Sequence, residues 1–467
     1  MYDVVVIGAG PAGVNAAMRA AGLGARTALI TSGEFGGMAA NDGTVPVRTL
    51  AHAARLMREA RQLPRYGIAV SEPKLDYARL LERAGEVVAD VRAHSAWRAD
   101  VDRLGVTLYE RAGLVRFAGP HAAEAANGTR LEADNFIVCT GGSSRRLDVP
   151  GFELTATPRD ALGLRAVPES MLVVGAGATG VQVASIFNAF GSRIQLFQSA
   201  SRIIPSDDEE VSAAVAAALR NSGIIVREAF GEIESFEKTS HGVRMNIIAD
   251  GVRGSAEATL AVAAVGWVVD AQTLGLGAVG IETDARGYVQ VDEFLRTSVP
   301  HVFAAGDVNG GAMLVPQAIQ EGYVAATNAV RGPTMPLGRE VSPIGSFTDP
   351  EYAQVGLTEA KAREAHDVAV VRIPFDSTTR TIIDGHTIGF CKLIVDRQTS
   401  RILGCHIVGE RAVDITQVVA IAMAAEMKVD DLARIPLSFP TYAGIIGRAA
   451  YRAARELGHD VGWSRIP

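Results

Sequence analysis

The feature that most constrains this chain is a unit that occurs twice. Residues 4–31 read VVVIGAGPAGVNAAMRAAGLGARTALIT, and residues 171–198 read MLVVGAGATGVQVASIFNAFGSRIQLFQ. Each is an apolar run, a glycine-rich turn, an Ala-rich helical stretch and a second apolar run. Gly8, Gly10 and Gly13 in the first copy, and Gly175, Gly177 and Gly180 in the second, fit G-x-G-x-x-G. The first glycine allows a tight turn, the second lets backbone approach a pyrophosphate, and the third lets helix and strand pack closely. The helix start then presents free N–H groups to the phosphates, with Ala178 and Thr179 completing the second turn. A glycine pattern alone is weak. Set twice between strand and helix, it predicts two α/β units that each hold a dinucleotide.

At the end of the second apolar run such sites often carry an acid for the ribose hydroxyls. The residues here are Thr31 and Gln198. Beside Gln198, the absence of a carboxylate lifts repulsion against the 2′-phosphate of NADP, and Arg202 offers a charge-assisted contact. Use of both NADPH and NADH is expected, with a lean to NADPH. Two dinucleotides in one chain are most economically a flavin, FAD, and a nicotinamide donor, which makes an oxidoreductase.

Composition narrows the partners. At 467 residues, a prior of ~150 residues per domain gives about three domains. The net charge of −7, with no long basic run, argues against nucleic acid or an anionic membrane as partner. The most apolar runs, such as TLAVAAVGWVV at 259–269, fall short of the ~20 residues of a membrane helix. No secretory pattern precedes the first strand, so a cytoplasmic location is expected. Three cysteines form no disulfide framework. Nine histidines and three cysteines without clustered spacing give no basis for a metal.

Further segments carry a family resemblance: NFIVCTGGSSRRLDVPG (135–151), VPHVFAAGDVNGG (299–311), MLVPQAIQEG (313–322), GSFTDPEYAQVGLTE (345–359) and GFCKLIVDRQTSRILGCHIVGERA (389–412). In this order they resemble the flavoprotein disulfide reductases, the family of glutathione reductase, dihydrolipoamide dehydrogenase and mercuric reductase. The resemblance implies an α/β fold with two Rossmann-like domains and a C-terminal α+β dimerisation domain. The FAD domain would be residues 1–150 and 271–337, the nicotinamide domain 151–270, and the dimerisation domain 338–467. It also implies a homodimer with the active site built across two copies. FAD contacts are expected at Gly8, Gly10, Gly13, Thr31, Gly36, Gly37, Val115, Thr140, Gly141, Gly306, Asp307, Met313 and Leu314. Nicotinamide contacts are expected at Gly175, Gly177, Ala178, Thr179, Gly180, Gln198, Arg202 and Gly266.

The chain departs from the family where the chemistry sits. In GGMAANDGTVPVRTL (36–50), Ala39 and Thr44 fall at the positions of the redox pair Cys-x4-Cys. In SFPTYAG (438–444), Phe439 and Gly444 replace the acid–base His and Glu. Arg48 and Gln182 replace a Lys–Glu pair beside flavin N5, which predicts an electropositive environment there. Ala178 replaces a tyrosine that covers the flavin in several members.

No nucleophile remains, so disulfide reduction is excluded on this reading. The expected acceptor is a planar, quinone-like small molecule in a pocket lined by Ala39, Thr44, and Phe439 and Gly444 of the partner subunit. One alternative is hydride exchange between nicotinamide pools, as in soluble pyridine nucleotide transhydrogenase, which shares the threonine and the aromatic but keeps a cysteine where Ala39 stands. The other is a flavin redox sensor of low turnover. Cys139 reads as a buried strand residue. Cys391 and Cys405 read as opposed across a hairpin turning near Arg397–Ser400. The last segment, 451–467, reads as a helix followed by a tail of no assigned role.

Overall fold

The computed structural model describes residues 1–269, 271–338 and 341–462. The chain divides into two compact units. The first comprises residues 1–50, 76–145 and 266–340; the second comprises 51–75, 146–265 and 341–467.

The first unit is organised by a sheet whose parallel part runs Thr107–Tyr109, Thr27–Ile30, Tyr2–Ile7, Arg130–Val138 and Val302–Ala304. Antiparallel strands Ala122–Ala125 and Val115–Gly119 extend it. The run VVVI forms a strand buried on both faces. Val4 and Val6 pack toward helices Pro11–Gly22 and Val315–Arg331, while Val5 and Ile7 pack with Val115, Phe117 and Leu276. That is why the sequence is continuously apolar there rather than alternating. Strand Arg130–Val138 shows both regimes. Its first half alternates exposed and buried beside the antiparallel strands, and its last three residues are buried among the parallel ones. The two helices touch closely because residue 322 is glycine: a Cβ there would lie 2.2 Å from the Ala12 carbonyl oxygen.

The second unit holds a four-stranded parallel sheet in the order Ile225–Glu228, Arg193–Gln198, Ser170–Val174, Leu260–Ala263. A three-stranded antiparallel sheet, Glu232–Lys238, Val243–Ala249 and Val252–Ala258, packs with it through Phe152, Phe236 and Met245. A five-stranded antiparallel sheet runs Ile344–Ser346, Tyr352–Gly356, Ile402–Val408, Phe390–Asp396, Val368–Pro374. Helices Ala412–Ala424 and Gly444–Glu456 cover it through Ile415, Val419, Ile446 and Ala450. Among the described residues no helix is long and apolar enough to cross a membrane.

The hairpin forms where the sequence places it, but its register differs. Leu393 faces Cys405 and Cys391 faces Ile407, with an irregularity between Ile394 and Val395. The extra residue shifts the ladder, so the cysteines are diagonal neighbours rather than opposed. Their sulfurs are 3.8 Å apart, both thiols free and buried. The final helix is Gly444–Glu456, and residues 463–467 of the expected tail lie outside the described residues.

Candidate functional site: two glycine cradles and their surroundings

The two glycine turns are nearly the same object. Gly8 has φ +107° and Gly175 +92°, values in the left-handed region that favours glycine. A Cβ on Gly8 would lie 2.2 Å from the Cys139 carbonyl oxygen; on Gly175 it would lie 2.3 Å from that of Ala264. Gly13 and Gly180 approach the first glycine of their own turn so closely that a Cβ would sit 1.7 Å and 1.8 Å from its carbonyl oxygen. By contrast, nothing lies within 4 Å of a Cβ built on Gly10 or Gly177. Those two capping residues begin helices Pro11–Gly22 and Ala178–Ala189 with no side-chain cap. Each turn fits a pyrophosphate.

Around the first cradle, the Gly36–Gly37 turn is built by residues that motif reading missed. The Gly36 N–H donates to Ala9 at 2.9 Å, and Asn41 Nδ2 donates to the carbonyls of Phe35 and Gly37. The Phe35 N–H donates to Glu110 Oε1 at 3.1 Å. Thr31 is buried, its N–H bonded to the Tyr109 carbonyl. Val115 begins its strand and is buried. Thr140 is exposed and Gly141 has φ +68°, at the crossing where Ser143–Ser144 pairs with Trp267–Val268. Gly266 accepts the Arg145 N–H at that crossing.

Asp307 is half-buried, and burial raises its carboxyl above the usual range. The turn before it is fixed by Glu321, only 2% exposed, which accepts from the Gly306 N–H at 2.7 Å and from Asn309 Nδ2 at 2.8 Å. Sequence reading missed this residue; a lone acid on the buried face of VPQAIQEGYVAA is the signal that could have found it. Met313 has φ +55°, and Leu314 caps helix Val315–Arg331. These positions, an open cradle and the half-buried Asp307 carboxyl, suit the pyrophosphate and polyol of a flavin dinucleotide.

In the second cradle, Gln198 is buried and its Oε1 accepts from the Ser199 N–H. Arg202 Nη2 donates to the Pro205 carbonyl at 2.8 Å, while Nη1 is buried without a partner among the described residues. Gln182 turns its Nε2 back to the Ala178 carbonyl of its own helix. Arg48 lies half-buried on helix Thr44–Gln62. Ala39 lies in helix Gly37–Asn41, and Thr44 is exposed at the start of the next helix; both belong to the first unit. In the second unit Phe439 is 82% exposed and Gly444 begins helix Gly444–Glu456. Cys139 is buried, and that burial raises its thiol pKa far out of the working range. Among the described residues no group of three or more His, Cys, Asp or Glu could hold a metal.

The family model for pyridine nucleotide-disulphide oxidoreductases matches residues 2–322, and that for the dimerisation domain of the same family matches 342–450. The chain is 32% identical to a mercuric reductase of Bacillus cereus over 95% of its own length and 70% of that protein's. It is 31% identical to a dihydrolipoyl dehydrogenase of Haemophilus influenzae over 96% and 94%. Among solved structures, the HOCl-induced flavoprotein disulfide reductase RclA from Escherichia coli superposes with a TM-score of 0.83, 24% identity, and coverage of 96% of this chain and 99% of that one.

These findings overturn the expected exclusion of disulfide chemistry and with it the quinone-like acceptor. The transhydrogenase and sensor alternatives find no support among these relatives either. The exclusion rested on four positions, Ala39, Thr44, Phe439 and Gly444, whereas an acceptor is selected by a whole site. The match extends through nearly the entire chain, both cradles included. The chain belongs to the pyridine nucleotide-disulphide oxidoreductase family and is an FAD-dependent enzyme that takes its electrons from NAD(P)H.

Proposed function

We propose that this chain reduces a disulfide-class acceptor at the expense of NAD(P)H, and that the sulfur–sulfur bond broken belongs wholly to the acceptor. The observation that carries the reading is the matched pair of glycine cradles, tight at the first and third glycines and open at the second. The acceptor class is supported by the disulphide-oxidoreductase family match and by relatives named dihydrolipoyl dehydrogenase. The absence of a chain thiol from the bond exchange is supported by Ala39 and Thr44 at the expected thiol positions and by burial of Cys139, Cys391 and Cys405. The balance is NAD(P)H, one disulfide and one proton giving NAD(P)+ and two thiols.

When bound, FAD accepts a hydride from the nicotinamide and passes two electrons onward. The chain's part is binding and electrostatics. On this reading residues 1–150 and 271–337 form the FAD domain and 151–270 the nicotinamide domain. Gly8, Gly10, Gly13, Gly36, Gly37 and Val115 hold the FAD phosphates and adenosine by backbone, with Thr31 replacing the ribose acid. Asp307 and the Thr140–Gly141 turn hold the polyol. Met313 and Leu314 aim a helix N-terminus at the ring, stabilising negative charge. Arg48 adds a permanent positive charge and Gln182 does not cancel it. Gly175, Gly177, Ala178, Thr179, Gly180, Gln198, Arg202 and Gly266 take NADPH or NADH. Residues 338–467 pair two copies.

The test is anaerobic titration of the flavin-loaded enzyme with NADPH and with NADH, followed by mixing with a cyclic dithiolane disulfide or a glutathione-type linear disulfide. Bleaching followed by reoxidation with either disulfide is expected. Failure of both nucleotides to bleach the flavin, or reoxidation by a naphthoquinone while both disulfides leave it reduced, overturns the reading.

A further inference from the structure

Between strand Arg193–Gln198 and helix Glu209–Asn221 the chain makes a loop that carries Arg202. Its first part is pinned to the second cradle: the Ile204 N–H donates to the Ala176 carbonyl at 2.7 Å, with Ile204 at φ +36°. The Ile203 N–H donates to Glu228 Oε1, and the Ile203 carbonyl accepts from Ser212 Oγ. Its last residue, Asp208, caps the helix by accepting from the Glu210 N–H.

What holds Asp208 comes from the five-stranded sheet. Lys392, on strand Phe390–Asp396, is only 2% exposed. Its Nζ lies 2.9 Å from Asp208, 2.8 Å from Glu210 and 2.7 Å from Glu359. Arg372 and Arg363 pair with Glu210 and Glu359 from outside. His406 faces Lys392 across the ladder, its Nε2 bonded to the Leu357 carbonyl. Burial alone would lower the lysine pKa, but its bonds to the three carboxylates raise it, so the ammonium keeps its charge. Without that cation, three carboxylates would converge at one helix start with Asp208 buried, and the loop end would be driven outward.

The loop held in this way leaves Arg202 Nη1 buried and, among the described residues, unpartnered. A buried donor left unpaired is unfavourable, more so when charged. Asp207, which burial pushes up to about 6, is close enough to feel the Arg202 charge but makes no hydrogen bond to it. The loop therefore holds the Arg202 guanidinium beside the cradle, with one edge on the Pro205 carbonyl and the other enclosed by protein.

We infer that Lys392 is a positioning residue for the nicotinamide nucleotide: by gripping Asp208 it fixes the loop that presents the Arg202 guanidinium to the phosphate on the adenosine ribose. This rests on the reading of the second cradle as the NAD(P)H site. The test uses the FAD-loaded enzyme and measures, by calorimetry, binding of the adenosine fragment of NADP that carries the 2′-phosphate, alongside KM and kcat for NADPH. Lys392→Met is expected to weaken the fragment about tenfold and raise KM in step, with kcat changing less than about twofold. Lys392→Arg should restore binding. In an Arg202→Ala background Lys392→Met should add less than about twofold, because the two act through one contact. Asp208→Asn, which keeps the cap but removes the charge, should reproduce Lys392→Met and serves if that variant does not fold. Unchanged binding in Asp208→Asn and Lys392→Met, or full additivity with Arg202→Ala, overturns the inference alone. A wild-type enzyme that binds neither the fragment nor NADPH overturns the nucleotide-site reading and the inference together.

Discussion

Gly13 and Gly180 hold equivalent places in two cradles, and that equivalence allows the cradles to be separated by single substitutions. An added methyl group would sit 1.7 Å from the Gly8 oxygen in one and 1.8 Å from the Gly175 oxygen in the other. Neither backbone can yield without moving its helix off its strand. Gly13→Ala is expected to give protein that loses most of its flavin absorbance on gel filtration. Gly180→Ala is expected to remain yellow but to bleach with NADPH at least about a hundredfold more slowly, since misplacing the donor by ~1 Å costs about that much. Loss of flavin from Gly180→Ala, with Gly13→Ala still yellow, would show the two assignments reversed. Glycines such as these are legible in sequence because their requirement is local: a turn, a close approach and an open face within a few residues. The partners of Glu110 and Glu321 were not legible, even though Glu321 stands out as a lone acid on an apolar face, since the Phe35 and Gly306 N–H groups are brought to them only by the fold.

At the scale of elements, the second part of helix Thr44–Gln62 is fastened within the second unit by arginines. Arg58 meets Asp349 at 2.7 Å, and Arg55 bonds Glu59 and Glu410 while Glu351 lies 3.9 Å away. Burial first, and then the charge of Glu410, raise the Glu351 carboxyl from 4.5 to about 7, against the pull of the Val413 N–H and Arg55. The native state thus holds this proton more tightly than the unfolded chain. The associated stability is fully present below the unfolded value and is lost as pH rises through about 7, amounting to roughly 3 kcal/mol. Glu351→Gln should therefore be more stable than the parent in urea melts at about pH 8 and nearly equal to it at about pH 4. Equal midpoints at both pH values would mean that Arg55 fully compensates the buried charge. The hairpin shows the limit of sequence at this scale. Its strands and turn follow from apolar patterning and DRQTS, but the irregularity at Ile394/Val395 that moves Cys391 out of line with Cys405 leaves no mark in composition.

Over the whole molecule, contacts far apart in sequence decide what the chain can do. The tether from Lys392 to Asp208 spans 184 residues and no local pattern announces it. The acceptor class escapes local sequence for a related reason: a few substituted positions stand against a match that runs through both nucleotide cradles and the dimerisation domain. These considerations meet in the thiols. Cys139 is 6% exposed behind the first cradle, and Cys391 and Cys405 are fully buried in the five-stranded sheet. A family member that reduced disulfides through its own thiols would expose a reactive thiolate once NADPH had reduced it, and alkylation would then abolish turnover. Here Cys139, Cys391 and Cys405 are all buried, which supports the proposal that the acceptor brings its own sulfur. Treatment of the NADPH-reduced native enzyme with iodoacetamide is therefore expected to leave at least about four-fifths of its disulfide-dependent NADPH oxidation intact, with labelling confined to unfolded protein. Inactivation in step with the labelling of one cysteine would instead place a chain thiol in the reaction, and mapping that residue would decide which of the two buried sites opens during turnover.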